Sequence, residues 1–107
     1  MNLGRMRHRV TLEAIPTDQA RNPLGEQRQA WQAEQVCWAR VETLDGRELY
    51  REVQVQPSAT HKVTIRYRPG VTEAKRFDFR GRYLNIYRVD NADQLNDELI
   101  CYCFEAK

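Results

Sequence analysis

From residue 60 to residue 68 the chain alternates with a period of two. His61, Val63, Ile65 and Tyr67 point one way, while Thr60, Lys62, Thr64, Arg66 and Arg68 point the other. A helix turns every 3.6 residues and cannot keep such a row on one side, so this segment is read as a strand with one buried face and one basic face. Pro69-Gly70 supplies a turn directly after it. A strand of this kind is stable only beside others that share its apolar face, so the rest of the chain must supply them.

Residues 7–15 alternate loosely, with Val10, Thr11 and Ile15, and Pro16 ends the run. Residues 31–44 give a second strand, with Val36, Trp38 and Arg40 on one face and Cys37, Ala39 and Val41 on the other. Apolar residues on both faces predict a strand covered on both sides. Asp45-Gly46-Arg47-Glu48 has capping-box spacing, with Asp45 at the N-cap and Glu48 reaching back. The short helix this predicts runs to about Val53 and sets Leu49 and Val53 on one side. Val53 and Val55 also alternate like a strand, which leaves the helix end open until Pro57 stops it. Residues 76–89 read as a hairpin about Arg80-Gly81, which places Phe77 opposite Leu84 with Ile86 continuing the row. Residues 98–104 form the last strand, after a polar stretch at 91–97.

The expected architecture is therefore mainly β: a small antiparallel barrel or sandwich of about six strands, with one short helix and no internal repeat. A long polar loop, residues 17–29, separates the first two strands. Its turn-rich centre is Arg21, Asn22, Pro23, Leu24 and Gly25, with almost nothing to bury. Loops this long in small domains are functional or disordered.

Size and charge narrow the functional classes. At 107 residues the chain is one domain's worth of sequence, and 41% hydrophobic with 30% charged residues is ordinary globular composition. No apolar run approaches the roughly 20 residues of a membrane span. The basic start, Met1 to Arg9, lacks the apolar stretch of a secretory signal, so a cytosolic protein with no membrane partner is expected. Three cysteines, an odd number without a framework spacing, fit that compartment. Net charge is only +2, but its distribution is uneven. Seven basic residues against two acids lie between Lys62 and Arg82, and five acids against one lysine lie between Asp90 and Lys107.

Catalytic and metal chemistry find little support. His61 starts an inward-facing row and reads as a core histidine, and His8 lies among arginines and reads as solvated. Cys101 and Cys103 share a strand face at C-x-C spacing without a second ligand pair, so they read as buried thiols rather than a zinc site. The sequence holds no phosphate-cradling glycine loop, nucleophile elbow or H-E-x-x-H motif. No enzyme activity, cofactor or metal is expected. The basic face, with aromatic residues nearby, leaves one alternative open: a small β-barrel that binds nucleic acid.

Several segments in order resemble a known family. Residues 5–12 (Arg5-Met6-Arg7-His8-Arg9-Val10-Thr11-Leu12), Trp31, Cys37-Trp38-Ala39-Arg40-Val41-Glu42 and Leu44-Asp45-Gly46-Arg47-Glu48 are similar to the phage head–tail joining family. These proteins are also called head closure, stopper or head–tail adaptor proteins. The likeness is most specific from Thr60 through Thr72, resumes from Arg76 to Ile86, and fades toward the C-terminus. The resemblance implies a small β-barrel that forms a ring beneath the portal and adaptor of a filled capsid. It also implies a tail-completion or tail-terminator protein on the other side. The place of action so implied is the neck of the virion, after assembly in the host bacterial cytoplasm. A loop of such proteins projects into the channel and helps retain packaged DNA, which makes Arg21 to Gly25 the candidate channel or partner loop here. A closed ring needs two unlike, complementary surfaces on each subunit. Lys62, Arg66 and Arg68 of the positive band, with Asp97 and Glu98 of the negative tail, are the candidate subunit-interface charges.

Overall fold

The structure is a computed structural model that describes residues 6–15, 31–91 and 94–106. The predicted loop at 17–29, with Arg21, Asn22, Pro23, Leu24 and Gly25, lies outside the described residues. Six strands and one helix follow in the order β1 (His8–Ala14), β2 (Gln32–Thr43), α1 (Gly46–Val55), β3 (His61–Arg66), β4 (Arg76–Phe79), β5 (Arg82–Asn91) and β6 (Glu98–Ala106). The strands close into a barrel in the order β1-β2-β3-β6-β5-β4, and every neighbouring pair is antiparallel. Closure comes from a short seam in which Thr11, Leu12 and Glu13 of β1 face Asp78, Phe77 and Arg76 of β4.

The period-two pattern decides what fills the barrel. Val10 and Leu12 of β1, Cys37 and Ala39 of β2, Val63 and Ile65 of β3 all point inside. Phe77 and Phe79 of β4, Leu84 and Ile86 of β5, and Leu99, Cys101 and Cys103 of β6 complete one apolar cluster. The hairpin forms as its turn residues require: Phe77 pairs with Leu84. Arg80 and Gly81 both take positive φ (54° and 84°), the geometry of a two-residue primed turn that matches strand twist. The Asp78 carboxylate accepts the Gly81 N–H at 2.9 Å and fixes that turn.

Outside the barrel α1 covers part of the wall. Leu49 and Val53, with Tyr87 and Ile100, pack against a cluster of Leu44, Ala59 and Tyr102, as the one-turn spacing of the first two predicts. The capping box does not form. Asp45 is the N-cap but makes no side-chain cap bond, and Glu48 turns instead to Lys62 at 3.1 Å and Arg51 at 3.8 Å.

Three further expectations need correction. β2 is covered on one face only: Cys37 and Ala39 face the core, while Val36 and Trp38, on the outer face of the barrel, are 55% and 54% exposed. The outer face of β3 is not simply solvated, since Thr64 is buried and Lys62 is half-buried beside α1, while Tyr67 lies past the strand end and is exposed. His8 is half-buried, meets Phe79 edge-on at 5.2 Å, and accepts the Val41 N–H through Nδ1 at 3.4 Å. Among the described residues no helix is long and apolar enough to cross a membrane.

Candidate partner-binding face

The five charges singled out from the sequence divide into two places. Lys62 is committed within the chain, with Nζ 3.1 Å from Glu48 of α1. The other four gather where β3 ends and β6 begins. Arg66 stands across from Glu98 in the β3–β6 register, and the Tyr67 N–H donates to the Asp97 carbonyl at 2.9 Å. Arg66 and Asp97 are exposed, and Arg68 and Glu98 are half-buried. Arg66 and Glu98 are thus cross-strand neighbours rather than members of two opposite edges.

Much of the positive band is neutralised inside the subunit. Arg82 makes two bonds to Glu105, at 2.6 and 3.0 Å. Arg76 reaches Glu13 at 2.7 Å while stacked between Trp31 and Tyr83, and Lys75 reaches Glu34 at 2.7 Å. The acids that meet these cations come from distant parts of the chain, so the band seen along the sequence does not persist as a bare surface. Arg68 is different. Its Nε and Nη1 are shielded from solvent and have no hydrogen-bond partner.

Beside Arg68 a groove of about 290 Å³ opens, lined by Met6, Val36, Cys37, Trp38, Arg66 and Arg68. Met6 and Cys37 are buried at its floor, the exposed Val36 and Trp38 form one wall, and the two arginines form the other. Arg9 lies over the Trp38 ring at 5.4 Å, which adds a further cation to the Trp38 wall.

The remaining titratable groups serve the fold. His61 is buried at the start of the inward row, 2.7 Å from the Thr60 hydroxyl, whose oxygen also accepts the Glu105 N–H. Burial lowers its pKa, with Arg82 adding to the effect. Burial raises all three thiols: Cys101 is pushed up to about 12, Cys103 well above its ordinary value, and Cys37 less. All three cysteines are free. Among the described residues no group of three or more His, Cys, Asp or Glu side chains lies close enough to hold a metal ion.

Glu52 gave no signal in the sequence. It is 1% exposed beneath α1, where one carboxylate oxygen accepts from Tyr87 at 2.7 Å and the other from Arg88 at 2.6 Å. A register shift between Ile86 and Arg88 lets the chain present both partners to it. The exposed Val36–Trp38 pair was also missed, because alternation shows which residues share a face and not which face is covered.

Fold and site together define a closed six-stranded antiparallel barrel with one helix on its wall and an open basic–aromatic groove. The chain belongs to the phage head completion protein family, which it matches over residues 1–107. It is a structural protein of the phage head, and membership of that family entails association with other head or tail proteins of the virion. The solution structure of protein SF1141 from Shigella flexneri 2a is similar, with 25% identity, a TM-score of 0.73, and 99% of this chain and 97% of that one covered. A chain in the virion of a native gene transfer agent particle shares the fold at 20% identity and a TM-score of 0.65, with 95% and 96% covered. No curated protein matches the chain.

Proposed function

We propose that the protein joins the filled head to the tail. In this reading it sits in the neck of the virion, between the portal or adaptor ring and a tail-completion or tail-terminator protein, and it performs no catalytic step. The observation that carries the reading is the family match along the whole of residues 1–107. A chain of the same fold in a gene transfer agent virion supports it. Subunits assemble in the host cytoplasm and close as a ring through unlike surfaces. Arg66, Arg68, Asp97 and Glu98, gathered in one place, are the proposed charges of one of these two subunit-interface surfaces, and Lys62, held by Glu48, lies apart from them. Arg21, Asn22, Pro23, Leu24 and Gly25 are the proposed channel loop, in contact with packaged DNA.

The test is deletion of the gene from its phage or prophage, with electron microscopy of the induced lysate. Free tails beside tailless heads, many of them emptied of DNA, are the expected result. Normal tailed, infectious particles would remove the joining role. The Arg66→Glu, Arg68→Glu double variant should fold and yet fail to appear in purified particles.

A further inference from the structure

β2 is longer than the neighbour it has on one side. β3 pairs with it only from Ala39 to Thr43, while β1 pairs with it from Gln32 to Ala39. Along 33–38 the strand therefore has a hydrogen-bonded neighbour on the β1 side alone, among the described residues. Past Ile65 the chain stays with the opposite side: the Tyr67 N–H bonds to the Asp97 carbonyl beside β6. The strands diverge here, and the groove between Val36–Trp38 and Arg66–Arg68 occupies the gap.

A sheet edge bordered by a groove is the arrangement into which an extended peptide adds as a strand. Main-chain bonds give such a contact its affinity, and side-chain pockets give it selectivity. The pockets here have a definite chemistry. The floor (Met6, Cys37) and one wall (Val36, Trp38) are apolar and suit alternate side chains of an added strand. Among the described residues no acid lines the groove. Arg66 has Glu98 across the strand, whereas no carboxylate pairs with Arg68 among the described residues: its Nε and Nη1 are shielded and unmatched, and the third nitrogen, Nη2, is the one an incoming carboxylate can reach.

We propose that this groove receives an extended, acidic segment with alternating apolar residues from another protein of the virion, added along residues 33–38 as a further strand with a carboxylate on Arg68. The inference rests on the head–tail joining reading for the source of the segment, and on the groove alone for its chemistry. A second copy of this chain fits less well. The segment that leads to its acids Asp97 and Glu98 carries Gln94 and Asn96 at positive φ (57° and 54°), a bent course unlike an added strand, and Glu98 is already in β6.

The experiment is an array of twelve-residue peptides tiling the other structural proteins encoded with this chain, probed with the labelled full-length protein. Bound peptides are then measured in solution by fluorescence anisotropy and by amide exchange. Bound peptides should carry alternating apolar residues and at least one carboxylate. They should protect amides within 33–38 and lose affinity about tenfold or more with Arg68→Met or Trp38→Ala, but not with Tyr50→Ala on the far face of α1. Four outcomes overturn the inference: no peptide bound, bound peptides indifferent to Arg68→Met, binding confined to peptides of this chain itself, or displacement by a DNA oligonucleotide. Tailless heads on gene deletion with a silent array would sink the groove and leave the joining role standing. Normal particles on deletion with a responsive groove would do the reverse.

Discussion

The inside of the barrel and the layer beneath α1 are both buried, yet they are built on different physics. Inside, Phe77, Ile65, Leu84, Val10 and Val63 meet one another and three thiols, with His61 at one end. Beneath α1, Leu49, Val53 and Tyr102 surround a carboxylate that is 1% exposed and bonded to Tyr87 and Arg88. Apolar packing is nondirectional and tolerates sliding, whereas two short bonds to one carboxylate set where a helix sits on a wall. The barrel interior supplies cohesion, and the outer layer supplies the position of α1.

The sharpest way to break this comparison is Phe77→Ala. Phe77 is fully buried at the centre of the interior, and its truncation should cost about 3–5 kcal/mol by denaturant unfolding. Glu52→Ala should cost less, roughly 1–3 kcal/mol, because Arg88 is partly exposed and can turn to water once its partner is gone. If Glu52→Ala equalled Phe77→Ala, the two regions would not be energetically distinct. Its second readout is local: amide exchange in α1 should quicken more than in β3.

A pH series sharpens the contrast further, with a smaller effect. The folded chain holds the His61 pKa below 6.5, so between those values the unfolded chain takes up a proton that the folded one refuses. Stability should therefore be level between about pH 7 and 8 and decline as pH falls through 6.5. It should decline again at alkaline pH, as the unfolded chain loses thiol protons that the folded one keeps. His61→Gln should flatten only the acid-side decline. Val36→Thr, on the open stretch of β2, should change stability by no more than about 0.5 kcal/mol. Thiol labelling checks the interior without any stability change. Cys101 and Cys103, with strongly raised pKa values, should react with iodoacetamide only on unfolding, and Cys37 at the groove floor should react before them.

Most of the barrel could be read along the chain, because each strand buries its alternate residues and each turn carries its own chemistry. Arg80-Gly81 alone fixed the Phe77–Leu84 register. What escaped depends on pairing between distant residues. A glutamate on a short helix with arginines nearby looks solvated, and only the barrel wall turns Glu52 inward against Tyr87 and Arg88. The basic band looked bare because Glu13, Glu34 and Glu105 lie far from the cations they meet. The face of β2 that stays open could not be chosen from alternation, since closure of all six strands decides which face turns into the barrel. Family resemblance reached the class of protein before any of these details.

The seam between β1 and β4 carries one more consequence, for the order in which the molecule forms. Arg76 and Glu13 bond across it at 2.7 Å from positions 63 residues apart. The barrel cannot close until residues 76–79 have been made, and β6, the last strand in the chain, must still slot between β3 and β5. Contacts so distant in sequence fold slowly, and strand edges left waiting are prone to pair with the wrong molecule. Completion of the barrel is therefore a late event, and any surface that depends on the closed wall exists only after the last strand is in place.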